Sequence, residues 1–258
     1  MSRPAALVTG GATRIGGAIT RAFAAAGWHV VIHYRSSAAQ ADELAATLPS
    51  AETIGFDLTD DEAAVAAISQ LANRLPDWRC LVNSASVFNY DAVTELDPAT
   101  FREAMQVNAL APARMAQTYL AHAASAATRT VIQITDMKIA NTNPDFFSYT
   151  MSKHALASTI GMIAKGARDP QVRIYGIAPG AILASHDQSE DETELSHRMN
   201  LLGRKTGADE IAGATLFLAT GTLASGQTLF IDSGQHLLDQ PRDVIWLARE
   251  LAAAERSA

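Results

Sequence analysis

Cysteine is nearly absent. The 258-residue chain has one, Cys80, which excludes an internal disulfide and fits a reducing compartment. It lies in the apolar run Cys80-Leu81-Val82, the setting of a buried strand thiol and not of a nucleophile. Aromatic residues are also scarce, at 6%, against 48% apolar and 18% charged residues. That balance describes one globular α/β domain with enough chain for a real core. Basic charge is short: 20 Lys and Arg stand against 27 Asp and Glu, a formal charge of −7. The deficit argues against a nucleic-acid or anionic-membrane partner, though not against a local basic pocket. No apolar run is long enough to span a bilayer, and residues 1–6 lead into a strand pattern without a signal-peptide core. A cytoplasmic location is therefore expected. No His, Cys and Asp residues have metal-ligand spacing, so no catalytic metal is expected.

Short apolar runs alternate with alanine-rich stretches. Residues 5–9, 28–34, 53–56, 80–83, 130–135, 172–178 and 228–231 read as seven buried strands. Residues 15–26, 38–48, 62–75, 101–124, 149–167 and 209–218 read as helices between them. Such alternation predicts an α/β fold: a Rossmann-like, doubly wound, seven-stranded parallel sheet with helices on both faces. No linker or repeat divides the chain, so residues 1–258 are expected to form a single Rossmann-like domain. Residues 183–200 are polar and weakly patterned, and read as a mobile loop or short helix over the site. Its histidines, His186 and His197, are expected to be solvated. Residues 241–258 read as a C-terminal extension. Val244, Leu247, Ala248 and Leu251 form one apolar stripe there, suited to packing or subunit contact.

The turn Thr9-Gly10-Gly11-Ala12-Thr13-Arg14-Ile15-Gly16 joins the first strand to the first helix. Glycines there permit a tight turn and close approach to a pyrophosphate, which the helix N-terminus attracts. After the second strand, His33-Tyr34-Arg35-Ser36-Ser37 contains no acid. A guanidinium and two hydroxyls suit a 2′-phosphate, so NADPH is expected over NADH. Asp57, with Leu58 beside it, is placed either to meet the adenine amino group or to serve at a helix N-terminus. Tyr149 and Lys153 stand at i and i+4 on one helical face. An ammonium there is expected to lower the phenol pKa and ready it for proton transfer.

Together these residues resemble the short-chain dehydrogenase/reductase superfamily over essentially the whole chain. Asn83-Ser84-Ala85, Asn108 and Pro179-Gly180 complete the pattern. Within it the chain resembles the pteridine reductases and bacterial dihydromonapterin reductases on four features: Arg14 replaces the middle glycine of the turn, Asp136 replaces the usual serine, Ser86 and Phe88 follow the Asn83 segment, and residues 33–37 match. The resemblance implies a pterin or folate substrate whose C=N bond is reduced: dihydromonapterin, dihydrobiopterin or dihydrofolate. It implies catalytic roles for Asp136, Tyr149, Lys153 and Asn108, the last holding a water. Gly10, Arg14, Ile15, Gly16, residues 34–37, Asp57, Leu58, residues 83–85, Lys153, Pro179 and Gly180 would hold the cofactor. Arg14, Ser86, Phe88, Asp136 and Tyr149 would meet the substrate, with Phe88 stacked on its ring. A homotetramer or homodimer is implied, and Ala109, Ala113 and Ala116 offer small faces for helix contact. Other readings are a ketone or 3-oxoacyl reductase, and a catalytically silent NADP(H)-binding sensor.

Overall fold

The computed structural model describes residues 3–182, 188–220 and 223–257. Seven parallel strands form one sheet: β1 Ala5–Val8, β2 His29–Tyr34, β3 Ala51–Gly55, β4 Trp78–Asn83, β5 Arg129–Ile134, β6 Val172–Pro179 and β7 Thr228–Ile231. Their spatial order is β3-β2-β1-β4-β5-β6-β7. The chain winds outward one way from β1, then returns to β4 and winds the other way. That reversal opens a crevice beyond the carboxyl ends of β1 and β4, where ligands bind in such sheets.

Alternation along each strand builds two cores. Ala6 and Val8 of β1 face Ile19 and Phe23 of α1 (Arg14–Ala25) and Leu44 of α2 (Ala38–Thr47). Ile211 and Leu218 of α8 (Ala208–Ala219) join that face. Ala5 and Leu7 face the opposite layer: Ile68 and Leu71 of α3 (Asp61–Arg74), Met115 and Tyr119 of α5 (Ala111–His122), and Ile160 of α6 (Phe147–Gly166). Period-two side chains in a sheet covered on both sides produce this division. Cys80 is fully buried in the first core, and burial pushes its thiol pKa far up.

Several boundaries differ from the sequence reading. The helix expected over 101–124 is α4 (Pro98–Met105), a π-helical turn at Gln106–Leu110, and α5. Pro98 sits in the first turn and Asp97 caps it, accepting from Thr100 N–H at 2.8 Å. Ala109 and Ala116 are buried within the chain and Ala113 half-buried. The first two therefore do not form an open face for a partner helix. The polar loop contains a further helix, α7 (Glu190–Ser196), and the extension forms α9 (Val244–Ser257), which packs against α7. His186 lies outside the described residues. Among those described, no helix is long and apolar enough to cross a membrane.

Candidate active site

One cavity of about 590 Å³ runs across the carboxyl ends of the strands. Gly10, Arg14 and Ile15 line it, as do Asp136, Tyr149 and Lys153. The glycine turn needs its residue types. Gly10 has φ +61°, and a Cβ there would lie 3.2 Å from the Ala85 Cα. A Cβ on Gly16 would collide with the Gly10 carbonyl oxygen, so glycine lets α1 seat on the turn. Gly16 does not itself line the cavity. Arg14 opens α1 with φ +53°, a strained value for a side chain of this kind.

Two polar residues fasten the turn. Thr9 Oγ1 accepts from the N–H groups of Ser84 and Ala85, at 2.9 and 3.0 Å, tying β1 to the end of β4. His33 Nδ1 accepts from Gly10 N–H at 3.1 Å, while its Nε2 lies 3.0 Å from the Phe56 carbonyl. Burial lowers the His33 pKa to about 4. Beyond it, Tyr34, Arg35, Ser36, Ser37, Asp57 and Leu58 line the cavity. The Asp57 carboxylate accepts from Thr59 N–H at 2.9 Å, which holds its pKa below the ordinary value. Pro179 and Gly180 line the opposite wall, where a Gly180 side chain would strike Gln235 Oε1.

The proton-transfer end is buried. Tyr149 Oη donates to Asp136 Oδ2 at 2.7 Å. Lys153 Nζ donates to the Ile134 carbonyl at 2.9 Å and lies 5.5 Å from the Tyr149 ring centre. The expected drop in the phenol pKa is reversed here. Burial and then the Asp136 carboxylate raise the Tyr149 pKa well above its ordinary value. The ammonium is turned to a backbone carbonyl, and burial lowers the Lys153 pKa to about 8. Burial also raises the Asp136 pKa. The phenol is thus held protonated, with its hydrogen bond directed at the Asp136 carboxyl.

Other expected residues fall in two groups. Ser84, Ala85, Ser86 and Phe88 line the cavity. One face of Phe88 is stacked on Phe146, with ring centres 4.0 Å apart, and its contact with Tyr149 is edge-to-face at 4.6 Å. Asn83 and Asn108 are buried outside the lining. Asn83 Nδ2 donates to Gln133 Oε1 at 2.9 Å. Asn108 sits in the π-turn. Its Oδ1 accepts from Val87 N–H at 2.9 Å and its Nδ2 donates to Ser152 Oγ at 3.0 Å, so its side chain clamps the β4 loop to α6.

Sequence reading missed Lys138, Gln235, Asp243 and Ile245, all of which line the cavity. Lys138, two residues past Asp136, was within reach of the motif; the others come from the far end of the chain. His197 corrects an expectation: it is buried against the cavity and not solvated, because α7 packs against α9. Burial lowers its pKa. Among the described residues no His, Cys, Asp or Glu cluster is gathered for a metal.

The family model described as enoyl-(acyl carrier protein) reductase matches residues 10–236. FolM alternative dihydrofolate reductase 1 from Brucella suis, solved with NADP, is 31% identical with TM-score 0.85, covering 92% of this chain and 96% of its own. Pteridine reductase 1 of Leishmania tarentolae is 27% identical over 91% of this chain and 96% of its own. The angucycline C-6 ketoreductase LanV, also with NADP bound, is 26% identical with TM-score 0.82, covering 91% of this chain and 96% of its own. A glycine cradle, an Asn-clamped helix and a Tyr-Lys pair on one parallel sheet, with a family model matched over most of the length, make this chain a member of the short-chain dehydrogenase/reductase family.

Proposed function

We propose that the chain is an NADPH-dependent reductase of a pterin or folate C=N bond, yielding the tetrahydro form of dihydromonapterin, dihydrobiopterin or dihydrofolate. The observation that carries this is Asp136, its carboxyl 2.7 Å from the Tyr149 hydroxyl. Cofactor fit rests on the cradle. Gly10 lines the turn where a pyrophosphate would lie, Gly16 lets α1 seat behind it, and Arg35, Ser36 and Ser37 offer donors for a 2′-phosphate. NADP in the FolM structure supports the choice of nucleotide. When bound, NADPH would supply the hydride for the carbon of the C=N bond. The nitrogen then needs a proton, and the Tyr149–Asp136 pair holds one at hydrogen-bond range. Asp136 also accepts from the amino and ring N–H donors of a pterin when ionised. Lys153 would bind nicotinamide ribose hydroxyls, and Phe88 would seat the flat ring on its open side. Arg14 would reach the pyrophosphate and the ring edge, and Ser86 either ligand.

A ketone would place a developing alkoxide beside that carboxylate, which repels it. The likeness to LanV keeps a ketone or 3-oxoacyl reductase as the second reading. NADPH oxidation with dihydromonapterin, dihydrobiopterin, dihydrofolate and a simple ketone, side by side, separates the two. Pterin turnover is expected in the wild type and should fall about 100-fold in Asp136→Ala. If Asp136→Ser raised ketone reduction and left pterin reduction intact, the second reading would hold. Tight NADPH binding with no turnover would favour a silent binder.

The same reading takes residues 1–258 as one domain, residues 183–200 as its substrate loop and residues 241–258 as an extension beside the pocket. A homotetramer or homodimer is inferred, with Leu110, Met151 and Met162 exposed on the long helices.

A further inference from the structure

The start of α9 is stitched to the loop that carries Asp136. Lys138 and Asp243 are both buried, and Lys138 Nζ lies 2.7 Å from Asp243 Oδ2. Lys138 Nζ also donates to Asn143 Oδ1 at 2.9 Å. The Asp243 N–H donates to Asp145 Oδ2 at 2.9 Å, and Arg242 Nε donates to the same oxygen at 2.8 Å. Asp243 Oδ1 accepts from Ile245 N–H at 3.0 Å and so caps α9.

Asp243, Val244 and Ile245 line the same cavity as Asp136 and Tyr149. Ile245 packs with Phe146 and Tyr149, and Phe88 rests against that group. An ion pair removed from water is costly unless its geometry is good and its remaining groups are satisfied. Here the ammonium and both carboxylate oxygens have partners at 2.7–3.0 Å, beside the reacting groups.

We propose that the Lys138–Asp243 ion pair is a positioning element for the acceptor substrate. It holds residues 243–245 of the same chain as the outer wall of the pocket. Through Ile245 it fixes the edge-to-face contact of Phe88 and Tyr149 against which a flat ring seats. The proposal deepens the reading given under Proposed function and rests on it for the shape of the substrate.

Two variants test it. Asp243→Asn keeps a capping side chain and removes the charge. Ile245→Ala removes the wall and leaves the ion pair. Both are assayed for KM and kcat with dihydropterin, and for NADPH affinity by fluorescence titration. Each should raise KM about tenfold, with kcat within about threefold and NADPH affinity within about twofold of wild type. A thermal melt checks folding; should Asp243→Asn not fold, Ile245→Ala decides alone. A folded Asp243→Asn enzyme, or an Ile245→Ala enzyme, whose KM stays within about twofold of wild type overturns the proposal. So does a parallel loss of NADPH affinity, which would mark a general packing role. If the wild type reduces the ketone and not the dihydropterin, the pterin reading falls, and the same ratios on the ketone still decide this proposal. If it reduces neither, both fall.

Discussion

His33 accepts from the Gly10 N–H at one ring nitrogen and faces the Phe56 carbonyl with the other. Only a neutral imidazole with its proton on Nε2 satisfies both. Burial accordingly lowers its pKa from 6.5 to about 4. The unfolded chain then binds more protons than the folded one between those values, so stability is lost as pH falls from about 6.5 towards 4. Fully expressed, the shift corresponds to about 3 kcal/mol. Urea melts across that interval should show a smaller loss for His33→Asn than for wild type. An equal loss in both would place the titration elsewhere. The segment 33–37 was expected to select the cofactor and lines the cavity, but this tie was not legible: Gly10, His33 and Phe56 meet only once β1, β2 and β3 lie side by side. The Tyr149–Lys153 spacing likewise gave the pair but not the sign of its effect. That sign depends on burial and on where Lys153 Nζ points.

At the scale of elements, α6 carries both Tyr149 and Lys153, and its first turn is held from a distance. Asp91 Oδ1 accepts from Ser148 N–H at 2.8 Å, and Asp91 Oδ2 from the Ser148 hydroxyl. Phe146 precedes the helix with φ +56°, a left-handed value that such an anchor can hold in place. Asp91→Ala leaves buried donors unmet and should cost about 1–3 kcal/mol. It should also lower kcat by shifting the first turn, and Asp91→Asn should recover part of both. Urea melts and steady-state rates check this; unchanged values would show that the helix holds its own start. The sequence places α6 within two residues, although its apolar periodicity is weak. It does not reveal the start at Phe147, because the capping carboxylate lies 57 residues from Ser148. Nor does it reveal the π-turn at Gln106–Leu110. One wide turn barely disturbs the apolar pattern, yet it sits where Asn108 clamps the β4 loop.

For the molecule as a whole, the sheet was the most legible part. Seven apolar runs give seven strands, and right-handed crossovers restrict the ways to wind them. The alanine faces misled because period alone does not say whether a small residue looks inward or outward. Ala116 is fully buried, whereas Leu110 on the π-turn is exposed beside Phe101 and Met105 in an apolar groove. Light scattering should give a dimer or tetramer, and Leu110→Glu should shift it towards smaller species. A wild-type monomer would remove that surface from consideration. One further use follows from Cys80, sealed in the middle of the sheet with no exposed area. A thiol reagent reaches it only when the central strands part. With no second thiol in the chain to compete, its labelling rate in graded denaturant is a built-in clock for global opening, readable by mass without any engineered probe.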